Sequence, residues 1–512
     1  MELHVEVLIV GGTTGGVAAA QAVADPRWGS SGARVLLVSA DSWLGGQLTS
    51  QGVPADEHAW IEHRGSTASY RQWRTHVREW YRTHRKLTDE AAGRSELNPG
   101  QGTVSPICAE PAVIASILDG VVAGSSVWRG WVPTWVESAH DKITAVEFTG
   151  PGGEVRTVTA DYVLDATDEG ELLPLAGAEY VVGAEADTGE PHAETVASLE
   201  VQQAITWCVA LERRPGEDHT IQRPAGYERW ASVRPEGWPD RQFSLTVPHP
   251  WTLEARRWDL FAPEPAASLW RFRRIRYGGH YREPTTEISL LNWPQLDYLG
   301  GPVVDVPDDV RQRRLAEARE QTLSFVYWLQ TELGHPELRP YGPAMGTADG
   351  LARGHYVREG RRLRALTTVT ENHIGVAART GVVGAHRFAD SVGIGAYRID
   401  LHPTPSGRNY VDIATYPFQI PLGALLPVRI GNLVAAGKCL GTTHIANGGC
   451  RVHPVEWNVG EAAGTLARFC VEHKAQPRQV SADEAIRSRY QEYLRRRGID
   501  LEWPDEYAEQ EV

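Results

Sequence analysis

The segments Val5-Glu-Val-Leu-Ile-Val10, Gly11-Gly-Thr-Thr-Gly-Gly16, Val17 to about Val23 and Arg34-Val-Leu-Leu-Val38 decide the fold. They predict a strand, a glycine turn, a helix and a second strand. That is a βαβ unit opening at the start of the sequence. Small residues in such a turn let a dinucleotide pyrophosphate reach backbone N–H groups at a helix N-terminus. Against the pattern G-x-G-x-x-G, the first and third glycines are Gly11 and Gly16, and Thr13 stands in the middle place. Thr13 must hold the phosphate slightly off or offer it a hydroxyl. At the end of the second strand an acidic residue is expected for the ribose. Ser39 holds that place, with Asp41 two residues on.

A chain of 512 residues has room for more than one structural unit. Its net charge of −14 argues against nucleic acid and anionic membrane surfaces. No apolar run approaches the roughly 18 residues of a membrane span. The start on a strand predicts no signal peptide. Five scattered cysteines make no disulfide framework, and no Cys-x-x-Cys occurs, so no metal site is expected. A cytoplasmic protein with free thiols follows as the expectation.

Further along, Trp43-Leu-Gly-Gly-Gln-Leu-Thr49 lets the chain run close to something flat or anionic. Residues 57 to 90 predict one or two amphipathic helices, and Glu110 to Val122 another. Val127 to Phe148 and Glu154 to Leu164 read as strands, the latter ending in Asp165-Ala-Thr-Asp-Glu-Gly170. Residues 185 to 345 lose the βαβ rhythm and hold eight of the 18 tryptophans, which suits a β-rich core or an aromatic-lined substrate region. A helix is predicted from about Val310 to Leu333. The α/β texture then returns: a strand ends at Gly437, and a helix runs from Val455 to Cys470 behind Pro454, a residue suited to a first helical turn. The helix N-terminus carries partial positive charge, which favours an anion beside it.

Four segments together resemble the large FAD-dependent oxidoreductases built like the glutathione-reductase and fumarate-reductase flavoproteins, and within them a bacterial group of FAD-dependent oxidoreductases. They are Val10 to Ala20, Leu44 to Gly52, Asp165 to Leu172 and Asn432 to Gly464. The resemblance spans nearly the whole chain. It implies an α/β fold with a discontinuous Rossmann-like FAD-binding domain (residues 1–184 and 346–475). A β-rich or α+β substrate domain (185–345) is inserted, and a C-terminal helix and tail (476–512) follow.

It also implies site residues. Gly11, Gly12, Thr14 and Gly16, with Thr13 among them, would cradle the pyrophosphate. Ser39 would face the adenosine ribose, and Val132 would offer its backbone to adenine. Gly45, Gly46 and Gln47 would follow the ribityl chain or isoalloxazine. Ala166 and Thr167 would close over the adenine half. Gly437, Gly460 and Glu461 would lie near the ribityl chain and flavin.

A flavin accepts hydride at N5 while a base removes a proton, and a base titrating near neutrality favours histidine. Thr442 to His453 concentrates the candidates: His444 or His453 as base, with Arg451 orienting a substrate oxygen or carboxylate. His453 before a proline also suits a packing role, and His373 and His402 are outside candidates. The expected partner is a small molecule; Arg271, Arg273, Arg274 and Arg276 among aromatic rings suit a sugar or an aromatic natural product. The leading expectation is a dehydrogenase or oxidase acting on a CH–OH, CH–NH or CH–CH bond. The alternatives are a monooxygenase using NAD(P)H and O2, and a flavoprotein with no net redox turnover.

Overall fold

The computed structural model describes residues 2–25 and 33–512. Strand β1 (Glu2–Val10) leads through the glycine turn into α1 (Thr14–Ala24), and β2 (Val35–Ser39) follows. Val7 to Val10 and Val35 to Val38 are buried without alternation, as strands covered on both faces must be. The N-cap of α1 is Thr13, whose Oγ1 accepts from the Gly16 N–H at 3.2 Å. Helix α2 (Ala68–His84) and helix α3 (Pro111–Val121) come next.

With β1 and β2, strands β3 (Ser126–Arg129), β4 (Val132–Ala139), β5 (Lys142–Thr149) and β6 (Val155–Asp165) make six strands of a seven-stranded sheet. Its order is β3-β2-β1-β6-β5-β4. The first four are parallel; β5 and β4 return antiparallel. The span Val127 to Phe148 is thus three strands, because Gly130 (φ 76°) and the residues His140 and Asp141 (φ 50° and 57°) turn the chain. Strand β6 is long enough to hold two neighbours on one edge. Val155 to Val158 pair with β5, and Val163 to Asp165 pair in parallel with the late strand Leu433–Ala435.

The second unit is built around an antiparallel sheet of β7 (Val209–Arg213), β8 (Arg274–Arg276), β9 (Glu287–Leu291) and β10 (Leu338–Pro340), in the order β8-β9-β7-β10. Helix α4 (Asp308–Thr331) packs on it through Phe325, Val326 and Leu329. Asp308 and Asp309 in its first turn complement the helix dipole. This apolar core runs from Val182 to Tyr356 and borrows Val53. A separate, larger core joins Val5–Ala178 to Leu363–Leu501. Of the eight tryptophans, Trp207, Trp230, Trp270, Trp293 and Trp328 fill the smaller core.

The late strand is β11 (Leu433–Ala435). Behind it lie α5 (His444–Cys450), α6 (His453–His473) and α7 (Glu484–Arg496). Within the stretch 442–453, His444–Cys450 is helical because Thr443 caps it, accepting from the Ala446 N–H at 3.2 Å. Its Gly448-Gly449 pair hides the helical signal; a Cβ on Gly448 would lie 2.9 Å from the Asp400 nitrogen. Helix α6 packs directly on α1. A Cβ on Gly460 would stand 2.0 Å from the Gly15 carbonyl oxygen, and one on Gly464 would stand 2.4 Å from that of Ala19. No helix among the described residues is long and apolar enough to cross a membrane.

Candidate functional site

Sheet register brings the distant motifs together. Val38 and Asp165 lie opposite Val10 on either side, and Ala435 lies opposite Asp165. The opening glycine turn, the Asp165-Ala-Thr turn and the Gly437 turn therefore leave one sheet edge side by side. This is the carboxyl end, where ligands of open α/β sheets bind.

A cavity of about 300 Å³ sits there. Of the expected contacts, Gly11, Gly12, Thr13, Ser39, Gly46, Val132 and Thr167 line it. Gly11 has φ 114°, and a Cβ on it would stand 2.1 Å from the Ala166 carbonyl oxygen. Only glycine closes the turn against β6 in this way. The hydroxyls expected to meet phosphate and ribose are engaged elsewhere. Thr13 Oγ1 donates to the Ala166 carbonyl at 2.8 Å, and Ser39 Oγ donates to the Asp41 carbonyl at 2.8 Å. Asp41 accepts from Arg353 Nε at 2.8 Å.

Below the glycine turn the three segments meet in a buried polar knot. Gln47 Nε2 donates to the Arg451 carbonyl at 3.1 Å and to Glu456 Oε2 at 2.5 Å. Thr14 Oγ1 donates to the same carboxylate. Burial raises the Glu456 pKa, against the pull of nearby Lys438. Burial would lower Lys438, but Asp168 at 3.0 Å and Glu456 outweigh it and keep the ammonium charged. Its Nζ also donates to the Val357 carbonyl at 2.7 Å. Gln47 Oε1, Glu456 Oε1 and Arg451 Nε are buried without a protein partner. A glycine cradle at a helix N-terminus, with unpaired polar atoms beyond it, fits a dinucleotide carrying a polar ring system.

Among the expected positions that line neither this cavity nor the one described next, Gly460, Glu461, His444 and His453 have other partners. Gly460 is occupied by contact with Gly15. Glu461 is fully buried in the middle of α6, paired with Arg497 at 2.9 Å and accepting from Ser69 Oγ at 2.5 Å. His444 donates from Nδ1 to Glu359 at 2.8 Å inside a buried ionic cluster with Arg362, and also lines neither cavity. His453 opens α6, and its Nδ1 accepts from the Asp56 N–H at 2.9 Å. Burial holds its pKa down to about 3, with Arg273 and Lys438 adding to the shift against Asp56. Its Nδ1 is thus an acceptor, and its Nε2 is buried without a hydrogen-bond partner among the described residues. Cys450 is inert, its thiol pushed up to about 12 by burial.

A second cavity of about 490 Å³ opens between the two units. Its polar part holds Asp56, Arg273, Tyr397, Asp400, His402 and Tyr410. Arg451 supports it from behind, with Nη1 donating to Tyr356 OH at 2.7 Å and Nη2 to the Asp400 carbonyl at 2.9 Å. Burial would raise Asp56, but the guanidiniums of Arg273 at 3.1 Å and Arg451 outweigh it and lower its pKa. His402 donates from Nδ1 to Asp297 Oδ2 at 2.7 Å. Asp297 is fully buried, yet Arg358 at 3.1 Å and His402 hold its pKa below the usual value. This pair was nearly invisible in the sequence: its members are 105 residues apart, and the run Asp400-Leu-His402-Pro403 carries no motif.

A glycine-turn βαβ unit whose site lies at the carboxyl edge of a parallel sheet defines a dinucleotide-binding α/β protein. The chain belongs to the FAD-dependent oxidoreductase family, whose pattern matches residues 6–493, and its cofactor is FAD. No curated protein matches it. Among solved structures, L-proline dehydrogenase from P. horikoshii is 12% identical (TM-score 0.19), the match covering 36% of this chain and only 24% of that one. A geranylgeranyl bacteriochlorophyll reductase-like protein from Thermoplasma acidophilum is 9% identical (TM-score 0.34), covering 98% and 85%. p-Nitrophenol 4-monooxygenase PnpA from Pseudomonas putida DLL-E4 is 12% identical (TM-score 0.34), covering 98% and 95%.

Proposed function

We propose that this chain is an FAD-dependent dehydrogenase or oxidase that takes hydride from a CH–OH, CH–NH or CH–CH bond of a small organic substrate. The observation that carries the reading is the His402–Asp297 pair facing the 490 Å³ cavity. When bound, FAD supplies the hydride acceptor at N5. The backbone at Gly11, Gly12 and Thr14 would hold its pyrophosphate, and Gln47 and Glu456 its polar middle.

The remaining roles belong to the protein. Asp297 holds His402 Nδ1 at 2.7 Å, and Nε2 stands 3.8 Å from Asp400 Oδ2 on the wall of the cavity. His402 Nε2 takes the substrate proton. Arg273 orients a substrate oxygen or nitrogen, its own charge balanced by Asp56, while Arg451 holds Asp400 in place from behind the cavity. Lys438 places a fixed positive charge beside the cofactor cavity, two of whose lining residues, Val357 and Asp168, are its partners. We also propose the division into residues 1–184 with 346–475, 185–345 and 476–512, supported by the two apolar cores.

The test is anaerobic titration of the yellow holoenzyme with a panel of alcohols, amines and acids. Bleaching by an organic donor, lost at least a hundredfold in rate in His402→Gln, supports the reading. Bleaching by NADPH alone supports a monooxygenase instead. An undiminished rate in His402→Gln removes His402 as the base.

A further inference from the structure

One guanidinium of the 490 Å³ cavity has no acidic group shifting it. Each of its acidic side chains has a guanidinium within reach, Arg74 being shared with Glu62 and Arg398 donating also to the Val512 carbonyl at 3.1 Å. Asp56 has Arg273 at 3.1 Å, Glu57 has Arg74 at 3.4 Å, Asp400 has Arg451 at 3.3 Å, and Asp412 has Arg398. Arg256 also lines the cavity and, among the described residues, has no carboxylate in ion-pairing reach. It is half-buried, and burial alone lowers its pKa, with no acid opposing the shift.

The side chain is nonetheless fixed. Its guanidinium lies over the Trp258 ring at 3.9 Å, so the stacked face is occupied and the N–H edge is left to donate. Arg256 stands on a two-stranded ribbon, Ala255–Arg257 against Thr246–Pro248, opposite Val247. Val247, Pro248, Trp258, Leu269 and Phe272 form an apolar wall around it. The cavity also holds Tyr410, whose hydroxyl is buried without a partner.

We propose that this cavity selects an organic carboxylate carried on an aromatic or alicyclic skeleton, with Arg256 gripping the carboxylate. The proposal rests on the oxidoreductase reading above and names the substrate class of that site. A guanidinium edge meets a carboxylate with two parallel charge-assisted hydrogen bonds, whereas an amide of the same shape offers one weaker acceptor. The ring system lies on Trp258 and Phe272. The oxidisable carbon, with its oxygen or nitrogen, then meets the polar groups Tyr410 and His402.

The experiment is calorimetric titration of the FAD-loaded protein with 3-phenylpropionate and with its neutral analogue 3-phenylpropanamide. The wild-type protein should bind the carboxylate at least about tenfold tighter. That preference should fall to near unity in Arg256→Gln, survive in part in Arg256→Lys, and shrink as salt is raised from about 20 to 500 mM, since a half-exposed pair is screened. If Arg256→Gln does not fold, the wild-type ratio and its salt dependence decide. Equal affinity for acid and amide, no binding of either, or a preference unchanged in Arg256→Gln or insensitive to salt overturns the proposal. Binding does not require turnover. A flavin that no organic donor reduces would therefore sink the dehydrogenase reading without touching this ratio.

Discussion

Gly460→Ala should destabilise the protein and weaken FAD binding, although alanine is the better helix former. The added methyl would stand 2.0 Å from the Gly15 carbonyl oxygen and 2.5 Å from Gly15 Cα. Real side chains essentially never approach closer than 3.0 Å, so α6 and α1 must part by about 1 Å. Overpacking of this kind costs about 1–3 kcal/mol. Helix propensity returns about 1 kcal/mol. The net is a loss of up to about 2 kcal/mol, and the displaced helix begins at the very turn that forms the glycine cradle. Each 1 kcal/mol of misfit there weakens FAD about fivefold. Gly464→Ala, one helical turn on and 2.4 Å from the Ala19 carbonyl oxygen, should behave alike. Gly120→Ala is the control: it is exposed near the end of α3 with nothing within 4 Å, and should be neutral or stabilising by up to about 1 kcal/mol. Thermal melts of apoprotein and holoprotein, with FAD titration by fluorescence quenching, read all three. If Gly460→Ala melts no lower than wild type and keeps its FAD affinity, the close helix packing argued here is wrong.

Asp297→Asn should lower the rate of flavin reduction by a factor on the order of a hundred or more while leaving KM nearly unchanged, because it removes the group that holds His402 Nδ1. Stopped-flow reduction would detect it, and an equal loss in kcat and gain in KM would argue against a positioning role. Lys438→Met should lower the flavin midpoint potential, since a buried cation that favours the reduced anion is gone; spectroelectrochemistry reads the sign. For pH, His453 has its folded pKa depressed from 6.5 to about 3. Its contribution is fully present above pH 6.5 and is lost as pH falls toward 3, because the unfolded chain protonates first. Each pH unit below 6.5 costs the wild-type apoprotein about 1.4 kcal/mol from this group. The stability gap over His453→Gln should therefore narrow by about 2 kcal/mol between pH 6.5 and 5 in urea unfolding; a constant gap would show His453 to titrate in the fold as it does in the unfolded chain.

The scaffold was legible because its signals are local. An unbroken apolar run, a glycine turn and a capped helix lie within some 40 residues, and the sheet then brings Val10, Asp165 and Ala435 abreast without any further specificity. Thr13 shows how a departure from a motif can be read in the wrong direction. As a missing glycine it suggested a looser phosphate cradle. In the fold its hydroxyl caps α1 and ties the turn to β6 through the Ala166 carbonyl, so the substitution stiffens the cradle. Gly460 was visible as a glycine of the late motif, but its partner is the Gly15 backbone, and no pattern in α6 alone distinguishes a helix contact from a ligand contact.

The histidines differ in their surroundings. Clustering in sequence brought His444 and His453 forward, yet clustering in a buried segment is what gives an imidazole protein partners and takes it out of titration. His444 is held by Glu359 and His453 by the Asp56 backbone, both away from open space. The histidine with a carboxylate behind it and a cavity in front of it is His402, isolated between Leu401 and Pro403. A general base needs an orienting partner on one nitrogen and substrate access on the other. The partner comes from Asp297 in the inserted unit and the access from the gap between the two units. The proton-transfer site proposed for His402 draws on residues 297 and 402 together, and no segment read alone contains it.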